Sequence, residues 1–580
     1  MILNKEKIKN STFFKKAQKL IMRNTYIVAF VAYVSIGLAI FWKLPRTFFQ
    51  QDEWAILGYY SYWDKAHLNW LERFTHEQYT HIIPFSNYFS YLEEKFFGIE
   101  FAPYAFFSIF VHIINSFLVY FLAEKLIRKK SIAFLAGLFF LVNSITHQAI
   151  TWIATTMGTA GATFFALLSL IFFVKYSLND NKKTVSLFFS ILCLLLAIGF
   201  KETVLPLFLF FPVFWVFCKK EKTLKNSFFT FLPFLLLGIF YLIVRFILSI
   251  VNVSTQLPGG LIQPAFFTYF FRLLSLPLKA VSQSFIPTDI IIKISDRLVL
   301  LGYPQFATNN VPNPYISQAI GADIVSYIFS IMIFFACILM YSFFKKQKKD
   351  FFSNTILIAL AFIALSSFPL ILIPGTAGYF SLFDGRHLYL TSIFSSILLA
   401  VLLYGFYSFF VKKLYAKIII TFLAIALVIF NSVRIRGDIN QLAGTALIRK
   451  SILSKTFSLH PVLFEKTVFY VEGDTAYYGL PASEKIVPFQ SGFGQTLLVW
   501  YNFHGQKYPA CFFKGEYLYE LLSEGYKECE GRGFGYFRKR ESLQKAIEQY
   551  NISLGNIIGL KYNSSAHVLS PMQFSKSDFE

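Results

Sequence analysis

Residues 25–54 read TYIVAFVAYVSIGLAIFWKLPRTFFQQDEW. A basic N-terminal stretch leads into an apolar run over about 26–42, and the run closes on Trp42, Lys43 and Arg46. A run of this length can cross a bilayer as a helix. It is longer than the apolar core of a cleaved secretion signal and no small-residue cleavage site follows it, so it reads as a signal anchor. Asp52-Glu53 comes directly after. A carboxylate pair immediately beyond a span is held at the bilayer surface, where a general base would meet a substrate whose other half is a lipid. A solvated acidic turn is the plainer reading of the same pair, and Trp54 equally suits an interfacial aromatic belt.

The rest of the chain repeats the apolar theme. Of 580 residues 56% are hydrophobic, 15% are charged and 73 are Phe. Soluble domains carry about 25% charged residues, so a soluble enzyme, a secreted disulfide scaffold and a disordered chain are excluded. Hydropathy places further spans at about 101–123, 131–143, 158–174, 184–199, 203–218, 227–251, 324–344, 352–373, 389–411 and 414–431, with the short third span continuing toward Trp152. The expected architecture is an all-α polytopic membrane domain of about 11 transmembrane helices over 25–431. A basic tail, 1–24, precedes it, and a soluble domain, 432–580, follows. Long loops cover 43–100 and 252–323, and Phe266–Ile286, with Arg272, Pro277 and Lys279 among its apolar residues, reads as an interfacial or re-entrant helix.

The net charge of +22 has a simple distribution. With the N-terminus cytoplasmic, the tail and the cytoplasmic loops hold 25 Lys and Arg but 5 Asp and Glu, whereas the longer outer loops hold 11 and 13. This is the positive-inside asymmetry and not a nucleic-acid footprint, so no nucleic-acid partner is expected. Eleven spans put the C-terminal domain outside the cytoplasm, in the plasma (inner) membrane of a bacterium. Cys193, Cys218 and Cys337 lie in or beside spans, while Cys511 and Cys529 could pair if their compartment is oxidising. Neither CxxC nor HExxH occurs, so no zinc site is nominated.

Polar residues gather on the outer side. They include His81 in the first loop, Asn143 to His147 interrupting the third span, and Lys201-Glu202 between two apolar runs with almost no loop. Arg245 lies inside a span, and Asp384-Gly385-Arg386-His387 stands before the tenth. Ionisable groups at membrane depth are functional candidates, and Arg with His beside Gly suits a lipid phosphate. Each also has a structural reading: Lys201 with Glu202 as an ion pair, Arg245 snorkelling, Asp384 paired with Arg386, and His147 and His81 as hydrogen-bonded structural histidines.

Several ordered motifs carry a resemblance. Thr80 to Leu126, with His112-Ile113-Ile114-Asn115-Ser116-Phe117-Leu118-Val119-Tyr120 inside it, resembles the second-helix region of lipid-dependent O-mannosyltransferases of the GT-C superfamily. The likeness is to the transmembrane mannosyltransferases that carry tetratricopeptide repeats. Phe140 through Trp152 resembles their third-helix segment, Lys201-Glu202 is similar to their Lys-Glu pair, and Tyr269–Pro277 and Gly385–Ser392 match weaker patterns. The resemblance implies a GT-C-like fold with its active site on the non-cytoplasmic face and a polyprenyl-phosphate sugar, mannose by family habit, as donor. Asp52 would be the base with Glu53 beside it, and Arg386, then Lys201, then Arg245 would face the donor phosphate. His81, His147, Glu202 and His387 would shape the substrate pocket. The acceptor would be an extracytoplasmic protein or glycan, or a membrane lipid. Such enzymes often need no metal, and a divalent cation stays open.

The sequence departs from that family in two places. Thr146 and Gln148 flank His147 where a proline is usual, and no tetratricopeptide repeat follows Asn431. Instead Val468–Val471 reads as a strand, Glu541–Tyr550 as a helix, and Gly492 to Gly494 and Gly531 to Gly535 as turns, which suggests a small α/β domain. Two other functions remain in view: a polymerase or ligase moving a glycan from a lipid diphosphate, and a transporter. Transporters place their charges near the bilayer midplane and often repeat a half, which this chain does not do.

Overall fold

The computed structural model describes residues 24–50, 52–75, 82–178, 184–218, 224–251, 266–308, 311–313, 316–371, 382–410, 414–476, 485–489 and 492–574. Among these, eight helices are long and apolar enough to cross a membrane, and three shorter apolar helices join them. Together they match the eleven expected segments. The helices used below are α1 (Thr25–Phe41), α2 (Asp52–Lys65), α3 (Pro84–Phe97), α4 (Phe101–Ile127), α5 (Lys130–Leu141), α6 (Ala162–Leu178), α7 (Thr184–Phe200), α8 (Leu207–Cys218) and α9 (Leu224–Val251). After these come α10 (Phe266–Gln283), α11 (Thr288–Gly302), α12 (Ala322–Lys346), α13 (Asp350–Ser366), α14 (Ser392–Phe409), α15 (Leu414–Leu459), α16 (Phe493–Phe503) and α17 (Arg540–Tyr550).

The third span does not continue to Trp152. Helix α5 stops at Leu141 because Asn143 and Ser144 supply competing side-chain bonds to the backbone turn. Asn143 Oδ1 accepts from the Ile145 amide at 2.9 Å, and Ser144 donates through N and Oγ to Asn431 at 3.2 and 2.6 Å. One helical turn follows at Gln148–Thr151, Trp152 is extended, and the next helix starts at Ile153. Met157–Gly161 then widens to π-helical turns before α6, a local distortion that recurs at functional sites.

A buried polar network holds the bundle centre. His112 Nε2 faces the Leu141 carbonyl at 3.0 Å and therefore donates, which leaves Nδ1 to accept from the Tyr389 hydroxyl at 2.8 Å. Asn115 Nδ2 donates to the Ala160 carbonyl at 2.9 Å and to Tyr389 Oη at 3.3 Å. These bonds satisfy polar groups that hydrocarbon would leave stranded and join α4, α5, the π-helical turns and the segment before α14.

Helix α10 is turned with its polar face inward. Arg272, Ser275, Lys279, Ser282 and Gln283 are buried, whereas Phe270, Leu274 and Leu278 are exposed. This is the arrangement a lipid environment favours and water disfavours. Lys279 pairs with Asp323 of α12 at 3.1 Å, Gln283 donates to Ser326 at 3.2 Å, and Arg272 donates to the Ile371 carbonyl at 3.3 Å.

The C-terminal domain is α/β. Strands β1 (Lys466–Glu472), β2 (Gly525–Cys529), β3 (Arg532–Phe537), β4 (Ile557–Asn563) and β5 (Val568–Met572) form one sheet in the order β2-β3-β1-β4-β5. The central β1 runs parallel to β3 and β4. The expected strand and helix lie within β1 and α17. The glycine stretch at 531–535 is only partly a turn: Gly531 turns at φ +75°, but Gly533 and Gly535 belong to β3 and make room for the Tyr526 ring. Cys511 and Cys529 are joined in a disulfide.

Helix α15 connects the two parts, running on as one helix of 46 residues from the last apolar segment to Leu459. Along it Arg434 holds Asp289 of α11 through two bonds of 3.0 and 2.6 Å, Asp438 meets His147 at 3.1 Å, and Arg449 donates to the Pro488 carbonyl at 2.9 Å.

The inward-facing pair on α10 generates a prediction. Lys279→Leu leaves Asp323 as a buried charge without its ammonium and should cost about 3–5 kcal/mol. Lys279→Leu with Asp323→Leu should recover most of that loss. Thermal unfolding of the detergent-solubilised variants measures both, and a double variant no more stable than the single one would contradict the assignment.

Candidate functional site

Three separate chain segments bring ionisable groups to one face of the helical bundle. Asp52 stands at the N-terminus of α2, where backbone N–H groups and the helix dipole favour a carboxylate. Its side chain keeps a solvent-exposed part, yet the protein packed around the carboxyl pushes it above the usual carboxylate range, and Arg386 pulls it back. Glu53, one residue on, is buried, and its Oε2 accepts from the Gln50 amide at 3.2 Å. Gln50 Nε2 in turn donates to the Thr151 carbonyl at 3.0 Å, tying the start of α2 to the segment that carries Trp152.

Arg386 lies in a 3₁₀ turn, Gly385–Leu388. Its Nε bonds Asp384 Oδ2 at 3.0 Å and its guanidinium carbon lies 4.3 Å from the centre of the Trp152 ring. This turn is fixed from three directions. Tyr389 enters the His112–Asn115 network, Gln283 Oε1 accepts from the Phe383 amide at 2.8 Å, and Gly385 is packed so closely that a Cβ would collide with the Ile145 carbonyl oxygen. The glycine is needed for that close approach, not for an unusual φ.

Lys201 sits between α7 and α8 in extended backbone, where Glu202 opens a short 3₁₀ turn. Its Nζ donates to Thr159 Oγ1 in the π-helical turns at 2.9 Å. Burial pushes its ammonium down to about 8, Glu202 and Asp384 oppose that shift, and Arg386 adds to it. Lys201 is thus within electrostatic reach of Glu202, Arg386 and Asp384. Tyr241 of α9 is in turn within reach of both Glu202 and Arg245. One face therefore holds Asp52, Asp384 and Glu202 with Arg386 and Lys201, and Arg245 adjoins it through Tyr241: a solvent-exposed carboxylate beside cations held by Asp384, Trp152 and Thr159.

The remaining sequence candidates are placed as follows. His147 directs Nδ1 to the Ser144 carbonyl at 2.7 Å and Nε2 to Asp438 at 3.1 Å, so both ring nitrogens hold the turn against α15. His387 is half-buried in the Arg386 turn, and its amide donates to the Asp384 carbonyl at 2.9 Å. His81 lies outside the described residues. Sequence reasoning missed Thr159, which hydropathy hides inside a span, and the stacking role of Trp152. It also missed Glu93 of α3, which shares with Glu53 a cavity of about 30 Å³ and which burial pushes up to about 8. Among the described residues the one compact trio of possible metal ligands is Cys511, Cys529 and Glu530, and its sulfurs are bonded to each other.

Helix α2 is gripped from its other side by the C-terminal domain. Trp54 meets Trp500 of α16 edge-on with ring centres 6.2 Å apart, and a Cβ on Gly58 would lie 3.1 Å from Val499 and Leu518.

With burial pushing the Lys201 ammonium down to about 8, anion binding at this face should weaken as pH rises through that value, the ammonium being the binding form. Isothermal titration of an isoprenoid phosphate between pH 6.5 and 9.5 would register the decline. In Lys201→Met the affinity should be lower throughout and the step near pH 8 absent. A step that persists in that variant would assign it to another group.

No protein-family model matches the chain, and no curated protein matches it. Among solved structures the chain is similar to ArnT from Cupriavidus metallidurans bound to undecaprenyl phosphate, at 10% identity over 92% of this chain and 93% of that one, with a TM-score of 0.37. It is similar to the apo state of the same protein at 12% identity over the same shares, with a TM-score of 0.38. Likeness at this level carries no conclusion about substrate or mechanism.

Proposed function

We propose that the chain is a membrane glycosyltransferase of the GT-C type that moves a sugar from a polyprenyl-phosphate donor to an extracytoplasmic acceptor. The observation that carries this reading is the convergence of Asp52, Arg386 and Lys201, from three distant parts of the chain, on one stretch of backbone: Gln50 beside Asp52 bonds the Thr151 carbonyl, Arg386 lies over Trp152 and Lys201 bonds Thr159. The motif resemblance to the O-mannosyltransferases supports it. In the reaction the acceptor hydroxyl gives its proton to Asp52 and its oxygen bonds the anomeric carbon as the bond from that carbon to the phosphate oxygen breaks. The phosphate leaves with the electron pair, and Arg386 and Lys201 offset the charge that develops on it. Glu202 stands beside Lys201, Arg245 adjoins Glu202 through Tyr241, and His387 belongs to the Arg386 turn, which gives them the substrate-pocket and phosphate-side positions of this reading.

The basic residues gathered on the opposite loops support an extracytoplasmic site. The Cys511–Cys529 disulfide supports an oxidising compartment for the C-terminal domain. Mannose is the sugar suggested by the family likeness, and a protein or glycan hydroxyl is the acceptor class.

Two variants test the roles. Asp52→Asn should retain the fold and donor binding while turnover falls by roughly a hundredfold or more, the scale of general-base catalysis. Retained turnover would remove Asp52 from that role. Arg386→Ala should weaken donor binding first. Native mass spectrometry of the detergent-solubilised protein with polyprenyl-phosphate mannose and with sugar-free polyprenyl phosphate measures it. Binding of neither lipid to folded wild-type protein would sink the donor assignment and favour a lipid-diphosphate glycan ligase or a transporter.

A further inference from the structure

A second basic site lies on the same side of the bundle as Asp52, between the first and last spans. Ile40, Trp42 and Lys43 at the end of α1 and Arg436, Ile439 and Asn440 of α15 enclose a cavity of about 230 Å³. No carboxylate lines it. Lys43 Nζ lies 5.2 Å and the Arg46 guanidinium carbon 4.9 Å from the Trp42 ring centre, and Trp42 is 48% exposed. Arg436 Nη2 donates to the Ala39 carbonyl at 2.8 Å, which sets its guanidinium over the end of α1.

This concentration of cations runs against its surroundings. The connecting segments on the Asp52 side carry 11 basic and 13 acidic residues in all, and two of those 11 are Lys43 and Arg46, with Arg436 brought alongside. An exposed Trp at the end of a span sits at headgroup level, and clustered Lys and Arg there bind phosphate through charge-assisted hydrogen bonds.

A neighbouring feature indicates what carries the phosphate. An apolar groove of about 440 Å³ runs between α5, α14 and α15, with Leu135, Leu138, Leu403, Ile425, Val428 and Ile429 among its walls. Ile429 and Arg436 are seven residues apart on one continuous helix. Ile429, at the outer end of the groove, therefore shares a face with Arg436 and lies about 10 Å from it along the axis, within the roughly 15 Å depth of one leaflet, and the groove runs on from there toward Ile420 and Tyr407.

We propose that Lys43, Arg46 and Arg436 bind the phosphate of an anionic phospholipid whose acyl chain descends into this groove, at a site distinct from the Asp52–Arg386 cluster. The same cations would accept a free phosphate, and only the lipid source engages the groove.

The test is native mass spectrometry of the full chain in detergent with phosphatidylglycerol, phosphatidylcholine or inorganic phosphate. Phosphatidylglycerol should be retained over phosphatidylcholine. Its retention should fall by roughly a hundredfold in Lys43→Gln/Arg46→Gln/Arg436→Gln and about fivefold in Arg46→Gln alone, an exposed side chain whose replacement keeps the test available should the triple variant not fold. Ile425→Trp, which fills the groove, should reduce lipid retention and leave inorganic phosphate unaffected. Equal retention of the two lipids, or unchanged phosphatidylglycerol binding in Arg46→Gln and the triple variant, would overturn the proposal. So would displacement by millimolar phosphate with no effect of Ile425→Trp, which identifies a soluble-anion site.

Discussion

Charged groups at the edge of a hydrocarbon layer must be satisfied by the protein itself, because water is not there to do it. Lys201, Arg386 and Arg245 meet that requirement with Glu202, Asp384 and Asp52, three of each sign, drawn from the first loop, the α7–α8 hairpin, α9 and the turn before α14. The hairpin and the turn each bring a carboxylate beside their own cation, and Trp152 and Thr159 from another segment complete the surroundings of Arg386 and Lys201. Lys279 with Asp323 applies the same rule to α10, and its consequence there is visible in the whole helix, which turns its charged face to the protein and Leu273, Leu274 and Leu278 outward.

The site also depends on neutral hydrogen bonds that never touch it. Tyr389, three residues beyond Arg386, is held by His112 and Asn115 from α4. Asn143 and Ser144 end α5 early and let Ile145 approach Gly385. The Arg386 turn is thereby placed by buried amides, an imidazole and a hydroxyl whose alternative is an unmet bond in an apolar core. That alternative is what gives so short a segment one position.

The soluble domain belongs to the same construction. Helix α15 carries it as a rigid extension of the last span, braced by Arg434 on Asp289 and Asp438 on His147. The domain then packs Trp500, Val499 and Leu518 against α2. Asp52 is consequently positioned from two sides, by the bundle through Gln50 and Thr151 and by the domain through Trp54 and Gly58. The orientation of the helix that carries Asp52 is thus set in part by the C-terminal domain.

Much of this is legible in the amino-acid sequence. Span lengths follow from bilayer thickness and the apolar run of each segment, so the eleven helices could be counted from hydropathy, and β1 and α17 from local patterning. Asp52, Lys201, Arg386 and the Asp384 partnership stood out because ionisable residues beside apolar runs are rare. Thr159 and Trp152 did not, since a threonine inside a span and a tryptophan at its edge have ordinary local explanations. His147 reads equally as a pocket residue or a hydrogen-bonded structural histidine, and in the structure its ring nitrogens meet the Ser144 carbonyl and Asp438, 291 positions away. The sequence by itself determined the number of apolar helices, the charge asymmetry between the two faces and the presence of a small α/β domain, because each depends on residues close together in the chain. Only the tertiary structure decided which charges meet, where α5 stops, which way α10 faces and what holds α2, because each of those depends on partners far apart in sequence that packing alone brings within a few ångströms.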